Sequence, residues 1–369
     1  MVWVKRNRKI LLILLIPAGI LLTKIAACFP KGVELIYARG IFPVIGRSLS
    51  KINGVFSFSL GEIIVLVLII YWTASLMGAL YGTVFHKGRK RASLTGWLAN
   101  FLAFAGVIYF AFILVWGLNY YRLPFSEIAQ LPFQPVAKEE LVQVCEKLID
   151  HANNLRVAVH EENGVMKIFG TKPALPERAQ AGYVNAAKII PQLGGDYSPA
   201  KEVFLSEALS YAGLSGIYFP FTGEANFNRA MPDVMLPNTI CHEMAHQRGF
   251  AREDEANYIA FATCRSHPDV DFQYSGTILA LNYVLRAVHI SDNKAVERLM
   301  AKCSPGIKKD LQDTAQFWSK YEGPVERLSH DVNNLYLKSN HQKDGVASYG
   351  RMVDLLIADY RKNNHWQRD

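Results

Sequence analysis

The chain has 369 residues and a formal net charge of +8, which is enough length for two or three domains with buried cores. Its excess positive charge lies in the N-terminal third, because residues 1–121 hold thirteen Lys or Arg and only two acidic residues, Glu34 and Glu62. The rest of the chain is net negative. This division argues against a nucleic-acid-binding protein, which needs a basic face on its folded domain.

Three long apolar stretches lie in the same N-terminal third. The first is interrupted by Lys24, whose long side chain can reach the interface from near the end of a membrane span. The second and third contain no Asp, Glu, Lys or Arg. Each is long enough for the roughly 20 residues with which a helix crosses a bilayer. We therefore predict transmembrane helices at about residues 9–29, 63–85 and 95–119.

The distribution of cations predicts how these helices are oriented. The basic segments "VKRNRK" near the N-terminus and "HKGRKR" at residues 86–91 fall on one side of the membrane if all three helices cross it. The positive-inside rule places that side in the cytoplasm, so residues 122–369 are expected outside. The first apolar stretch lacks a convincing cleavage site before Pro30, and we interpret it as an uncleaved anchor.

The remainder of the sequence predicts a mainly α-helical protein. In "VAKEELVQVCEKLIDHANNL" at residues 136–155, Leu141, Val144, Cys145 and Leu148 share one helical face. Residues 215–237 are rich in aromatic residues, Gly and Pro, which favours short strands and turns. Helical periodicity returns after Ile240. Residues 31–60 suit an interfacial or re-entrant segment. The five cysteines match no disulfide framework and are expected to be buried.

The segment "CHEMAHQRGFAREDEAN" at residues 241–257 carries the candidate chemistry. His242 and His246 are four residues apart and therefore project from one face of a helix, with Glu243 beside them. Two imidazoles at this spacing can bind one zinc ion, and a catalytic zinc site keeps one position for water. Cys241 points off the shared face and is expected to be buried.

The residues after this motif supply a candidate third ligand. Gly249 can end the helix in the left-handed conformation, and the acids that follow favour the start of a second helix. If the two helices run antiparallel, Glu253 lies opposite His246 and Asn257 lies opposite His242. We therefore predict Glu253 as the third ligand, with Glu255 as the alternative. Asn257 is expected to hold a ligand histidine by its other nitrogen.

These motifs resemble a known group of enzymes. "HEMAH" followed by "EDEAN" resembles the HExxH-plus-glutamate zinc peptidases, although the gap between the motifs is very short here. The Gly249 turn echoes the metzincins, but Arg252 stands in the place of their third histidine, which excludes that assignment. Most of the chain, including "WGLNYYRLP", "GIYFPFTGEANFN" and "YLKSNHQKDGVASYGRMVDLL", is similar to the bacterial membrane proteins called domain of unknown function 3810, which are regarded as zinc peptidases.

The resemblance implies a multi-pass protein of the bacterial cell membrane. Its partner would be the lipid bilayer, and residues 122–369 would form an extracytoplasmic zincin-like metallopeptidase domain that binds Zn²⁺ and cleaves a peptide or protein substrate. Glu243 is then the expected catalytic base. The resemblance supplies no substrate. A catalytically silent scaffold or sensor with a structural zinc site, and a zinc amidase that acts on cell-wall peptides, remain alternatives.

Other polar residues are weaker candidates for the site. A donor to the transition state is expected, and it remains open among residues that lie downstream of the motif: His330, Tyr336, His341 and Tyr349. The segment "FTGEANFN" either presents backbone groups to a peptide substrate, with Glu224, Asn226 and Asn228 lining the cleft, or forms a structural turn.

Overall fold

The computed structural model describes residues 2–85, 94–132, 134–340 and 351–363. The N-terminal part is mainly helical, and a non-helical connection at residues 54–59 separates its fourth and fifth helices. A π-helix at Val33–Ile41 joins the third and fourth helices, and a 3₁₀ turn at Gly117–Tyr121 follows the sixth. The helices of this part are α1 (Val2–Ile13), α2 (Leu15–Cys28), α3 (Pro30–Gly32), α4 (Phe42–Asn53), α5 (Leu60–Phe85) and α6 (Leu94–Val115).

The rest of the chain is also mainly helical and contains five short strands. The helices are α7 (Phe125–Ile128), α8 (Lys138–Arg156), α9 (Leu175–Ala186), α10 (Ser206–Tyr211), α11 (Leu236–Gln247), α12 (Glu253–Arg265), α13 (Val270–Ser291), α14 (Asn293–Lys302), α15 (Pro305–Ser319), α16 (Pro324–Ser339) and α17 (Met352–Asn363). The strands are β1 (His160–Glu162), β2 (Val165–Lys167), β3 (Lys201–Glu202), β4 (Gly216–Phe219) and β5 (Glu224–Phe227). The prediction of a mainly α fold with a small β element is confirmed.

Three helical stretches are long and apolar enough to cross a membrane: Arg8–Cys28, Leu60–Val84 and Leu94–Val115. They match the three predicted spans, except that the third ends at Val115 rather than near residue 119. The third helix ends early because the backbone of Trp116 is not helical, with φ of −152°, and the 3₁₀ turn follows it. The residues of that turn are largely buried against the rest of the protein, so their apolar character reflects packing rather than membrane crossing.

The main hydrophobic core surrounds α12, which packs against α9, α11, α13 and α17. The predicted face of α8 is buried here, with Leu141, Val144, Cys145 and Leu148 all nearly inaccessible. All five cysteines carry free thiols, and each except Cys28 is buried, as expected of small apolar side chains. This core fixes the position of α11 and α12, the two helices that carry the zinc-type motif.

A small sheet lies beside α11, with the strand order β3, β5, β4. The β5 strand is central, parallel to β3 and antiparallel to β4. The segment "FTGEANFN" therefore forms the middle of the sheet, and its backbone groups bond to strands on both sides. The β3 and β4 strands are the two edges, and β4, with four residues against two, is the longer edge with outward-facing backbone groups.

A second, smaller core joins the membrane-side helices to the domain that carries the motif. It includes Tyr37, Phe42, Trp116, Tyr120 and Tyr218, which come from three separate parts of the sequence. A buried ion pair reinforces it. Arg122 Nε lies 2.8 Å from Glu34 Oε2, and Arg122 Nη1 donates to the carbonyl oxygen of Gly249 at 2.9 Å.

Glu34 has a second, less buried partner, since Arg39 Nε lies 2.7 Å from Glu34 Oε1. Burial raises the pKa of Glu34, but the two arginines outweigh it and lower that pKa below its usual value. Glu34 is therefore a buried carboxylate that stays charged because Arg122 and Arg39 neutralise it.

Replacing Arg122 with Met leaves the Glu34 carboxylate buried without its main partner and removes a hydrogen bond to Gly249. Breaking a buried pair in this way costs about 3–5 kcal/mol, so a large fall in the melting temperature of the detergent-purified protein is expected. Arg39→Met is the matched control, because the Arg39 side chain is 42% exposed. Its loss should cost about 0–1 kcal/mol. Equal effects of the two substitutions would contradict the role assigned to Arg122.

Candidate metal centre

The candidate site is built on the tight turn between α11 and α12. Gly249 adopts φ of +82°, the left-handed conformation that favours glycine. Its N–H bonds to the carbonyl of His246, and the N–H of Phe250 bonds to the carbonyl of Ala245. The chain therefore stops one helix and turns back within five residues, so that the first turn of α12 lies beside the last turns of α11.

This turn brings His242, His246 and Glu253 to a common point. The two Nε2 atoms are 3.1 Å apart, and the Glu253 oxygens lie 3.2 Å from His242 Nε2 and 3.6 Å from His246 Nε2. Metal–ligand bonds of about 2.0–2.1 Å place two ligands of a tetrahedral zinc roughly 3.3 Å apart. The two imidazole nitrogens are close to this separation, and each lies at a similar distance from one of the two Glu253 oxygens, so the three side chains can hold one ion between them.

The other nitrogen of each imidazole is fixed by a hydrogen bond. His246 Nδ1 lies 2.7 Å from the carbonyl oxygen of Phe250, which can only accept, so this nitrogen carries the hydrogen. His242 Nδ1 lies 3.0 Å from Asn257 Oδ1 in the same arrangement. In the neutral rings both Nε2 lone pairs then point at each other and at a carboxylate. Such a concentration of lone pairs is favourable only around a positive charge, which is the condition that a metal ion satisfies.

The electrostatics of the three groups agree with this interpretation. Burial would raise the pKa of Glu253, but the two histidines outweigh it and hold that pKa well below its usual value. Burial would lower the pKa of His246, but the Glu253 carboxylate raises it to about 9. Both shifts mean that the cluster stabilises positive charge at its centre.

Glu243 lies next to the cluster but does not belong to it. The side chain is buried, its Oε2 atom has no hydrogen-bond partner among the described residues, and burial raises its pKa to about 7. A Cβ atom at Gly216 would lie 2.5 Å from Glu243 Oε1, so the carboxylate packs directly on the start of the edge strand β4. A buried carboxylate with an available oxygen and a pKa near neutrality suits a general base.

Aromatic side chains border the cluster. The Trp116 indole donates to the carbonyl oxygen of His246 at 3.1 Å, and the two rings are 5.9 Å apart. Burial raises the pKa of Tyr283 and of Tyr336, and the charge of Glu253 raises both further, which places these phenols near the cluster. The Tyr120 hydroxyl donates to that of Tyr336 at 3.0 Å, so the Tyr336 hydrogen is left to point elsewhere.

The structure distinguishes among the sequence candidates. Glu253 joins the histidines, whereas Glu255 accepts from the backbone N–H of Phe125 at 2.8 Å and from Arg252 at 2.7 Å. Of the four candidate donors, Tyr336 lies near the cluster and His330 is exposed. His341 and Tyr349 lie outside the described residues. Sequence reasoning missed Trp116 and Tyr283, because neither belongs to a recognisable motif.

The polar residues of "FTGEANFN" have structural roles. Glu224 accepts from the first amides of α5, Leu60 N at 3.1 Å and Gly61 N at 2.7 Å, and pairs with Lys201. Asn228 donates to Ser210 Oγ at 2.8 Å. The interpretation that Glu224 and Asn228 line a substrate cleft is therefore wrong, and the structural alternative holds for both.

Comparison with protein families identifies the chain. The model of the family described as "Protein of unknown function (DUF3810)" matches residues 37–357. The chain belongs to the DUF3810 family. The match extends from the π-helix through the cluster of His242, His246 and Glu253 to α17, so the membrane-side segment and the cluster are parts of one DUF3810 unit. No curated protein and no solved structure matches the chain. The family description names no activity, and the function has to be argued from the site.

Glu253→Gln keeps the size of the side chain but removes its charge, and Glu255→Gln makes the same change two residues away. We expect Glu253→Gln to weaken zinc binding more than a hundredfold, since losing even a group that orients a ligand costs 10–100-fold. Glu255→Gln should retain zinc. It should lose about 1.5–3 kcal/mol of stability, because the Glu255 carboxylate accepts hydrogen bonds from Phe125 and Arg252. Competition with a chromophoric chelator measures the first effect and thermal unfolding the second.

Asn257→Ala provides an intermediate case, with an expected 10–100-fold loss of zinc affinity. Full retention of zinc by Glu253→Gln, or its loss from Glu255→Gln, would exchange the roles given to the two carboxylates.

Proposed function

We propose that this protein is a membrane-anchored zinc-dependent metallopeptidase. The observation that carries the proposal is the combination of three converging ligands with a buried, partly unpaired Glu243 beside them. A structural zinc site is closed by four protein ligands, whereas a catalytic site has three and keeps a position for water. Three ligands and an adjacent base therefore favour catalysis over a purely structural role.

His242, His246 and Glu253 would hold the metal, and Glu243 would handle the proton. A bound zinc ion lowers the pKa of its water to about 7 and polarises a substrate carbonyl. Glu243, whose pKa burial raises to about 7, would accept the proton of the attacking water and deliver it to the departing amine. Its Oε2 atom is buried and has no hydrogen-bond partner among the described residues, so it is available to accept that proton.

The edge strand β4 supports a peptide as the substrate. Ser215 O accepts from Asn228 N, so in the antiparallel ladder the alternate residues Gly216 and Tyr218 direct their N–H and C=O groups away from β5. An extended peptide can add to such an edge through main-chain hydrogen bonds. Because Gly216 packs against Glu243, a peptide bound along β4 would lie next to the general base.

We assign the oxyanion donor to Tyr336, which lies close enough to Glu253 for that charge to raise its pKa. Its hydroxyl accepts a hydrogen bond from Tyr120, which stabilises the phenol oxygen and leaves its own hydrogen to donate. Its pKa remains above the usual value, so the proton is retained at neutral pH. A preorganised donor of this kind stabilises the charge that develops on the carbonyl oxygen.

The proposal includes the orientation of the chain in a bacterial cell membrane. The basic segments at residues 5–9 and 86–91 favour a cytoplasmic N-terminus, and three crossings then put the metal cluster outside. A C-terminal alkaline phosphatase fusion, which is active only outside the cytoplasm, tests this orientation. An inactive fusion in cells that express the full-length protein would reverse it.

Glu243→Gln is the central test of the peptidase proposal. The amide cannot accept the water's proton, so hydrolysis of a fluorescent unfolded protein such as casein, presented in detergent micelles, should fall by 10²–10⁴-fold. Zinc content should stay at about one ion per chain, because Glu243 is not a ligand. Glu162→Gln, on an exposed strand, is the matched control and should keep full activity. Unchanged hydrolysis in Glu243→Gln would remove this residue from the mechanism.

Two other outcomes would support the alternative functions. Zinc bound without any hydrolysis would favour a scaffold or sensor, and hydrolysis confined to cell-wall peptides would favour an amidase.

Tyr336→Phe tests the oxyanion donor in the same assay. Removing one such donor typically lowers kcat by 10²–10³-fold, and KM should change little because the interaction strengthens only in the transition state. Tyr321→Phe is the control, since Tyr321 makes ring contacts with Tyr211 and Phe317 away from the cluster. A loss confined to KM would assign Tyr336 to substrate binding instead.

A further inference from the structure

We propose that the substrate is a polypeptide anchored in the same membrane and cut within a few residues of the point where it leaves the bilayer. The inference rests on the proposed peptidase function and adds the location and class of its substrate. Three features carry it: the depth of the metal cluster, and two helical faces that are apolar on their outer side.

The cluster lies at the level of the lipid headgroups. Trp116 is the first residue after α6, which ends at Val115, and it contacts His246 through both its indole nitrogen and its ring. Trp116 follows Val115 directly, which corresponds to about 1.5 Å of helix rise. Its ring lies 5.9 Å from the ring of His246, so the cluster lies within roughly 10 Å of the end of the third span. The headgroup layer on each side of the hydrocarbon core is about 5–8 Å thick. A soluble domain on a flexible stalk would not have this contact.

The segment from α3 to the end of α4 and the turn after it carries large apolar side chains on its outer surface. Small and polar residues of α4, namely Gly46, Ser50 and Asn53, face the protein and are buried. Asn53 donates to the carbonyl oxygen of Thr222 at 3.0 Å. Five large apolar residues face outward and are 64–78% exposed: Leu35, Ile36, Val44, Ile52 and Val55. The cations Arg39, Arg47 and Lys51 are exposed beside them, whereas Tyr37 and Phe42 are buried. Exposed apolar side chains interspersed with Lys and Arg suit a segment that lies in the lipid–water interface.

The α16 helix carries a second exposed apolar surface on another side of the site. Leu337 is buried against the protein. Tyr336 contacts Phe112 of α6 and Tyr120 of the 3₁₀ turn that follows it. Four apolar residues at intervals of three and four form one outward stripe and are 57–68% exposed: Val325, Leu328, Val332 and Leu335. Exposed apolar stripes of this kind mark an interaction surface.

The bilayer is the occupant that both apolar faces fit. The α3–α4 segment connects the first and second spans, and α16 adjoins α6 near the end of the third, so each face continues a surface that already contacts lipid. With both faces resting in the bilayer, the site is held at the membrane surface. A polypeptide anchored nearby reaches it at high effective concentration, whereas a detached peptide has to diffuse to it.

The decisive experiment uses the full-length protein in vesicles of phosphatidylcholine and phosphatidylglycerol. The probe is a reporter with one transmembrane helix followed outside by an unfolded casein segment of roughly 60 residues, which extends up to about 200 Å. Mass spectrometry maps the cuts. We expect them within roughly the first 10 residues, which span at most about 35 Å. Cuts spread evenly along the segment would overturn the proposal.

Two controls separate this inference from the proposed function. The same casein segment without its membrane helix should be cut at least tenfold more slowly, and equal cutting of both forms would overturn the substrate class alone. Cutting of neither form, or equal cutting by the Glu243→Gln variant, would overturn the peptidase function and the substrate class together.

A labelling measurement tests the membrane contact without relying on activity. In a Cys28→Ser background, Leu328→Cys and His330→Cys place an environment-sensitive fluorophore at positions about 200° apart around α16. Lipids with a quencher on the acyl chain should quench the label at position 328 strongly and the label at position 330 weakly. Equal quenching at both positions would remove α16 from the bilayer surface and overturn this part of the argument.

Discussion

The contact between Arg122 and the carbonyl oxygen of Gly249 joins the two parts of the molecule at the point where the site is made. Gly249 turns α11 back into α12, so its conformation sets the distance between the histidines and Glu253. The same glycine packs on the ring of Phe42, where a Cβ atom would lie only 2.7 Å from the nearest ring carbon. Arg122 in turn is held by the buried Glu34. The turn that forms the metal cluster is thus also the docking point for the membrane-side helices.

Hydrogen bonds to the outer nitrogens of His242 and His246 determine how the two rings are oriented in the cluster. The outer nitrogen of each imidazole is committed to an oxygen, Asn257 Oδ1 in one case and the Phe250 carbonyl in the other, which directs both inner nitrogens at one point. Such orientation by a second set of partners is how proteins tune metal sites. Glu243 stands outside this arrangement, buried and incompletely bonded, which agrees with the separate role of general base proposed for it.

Much of the fold and of the cluster was predictable from short-range pattern. The three spans follow from length and hydropathy, the buried face of α8 from helical periodicity, and the grouping of His242, His246 and Glu253 from a four-residue spacing and one glycine. The same reasoning left open whether "FTGEANFN" presents backbone groups to a substrate or is structural, because strand order is a tertiary property and this segment forms the central strand. Trp116 and the pairing of Glu34 with Arg122 were also inaccessible, since these partners are far apart in sequence and carry no local signal.

The second core has a practical consequence for how the protein can be divided. The sequence boundary near residue 121 suggests that the outer part is separable. However, three aromatic residues that precede this boundary pack on the Gly249 turn or on β4: Phe42, Trp116 and Tyr120. A chain shortened to begin at Arg122 would leave that arginine without its carboxylate partner, and Phe250, Ala251 and Tyr218 partly uncovered. Water would then reach the floor of the cluster. The helices before residue 122 therefore serve as a wall of the metal centre as well as its anchor.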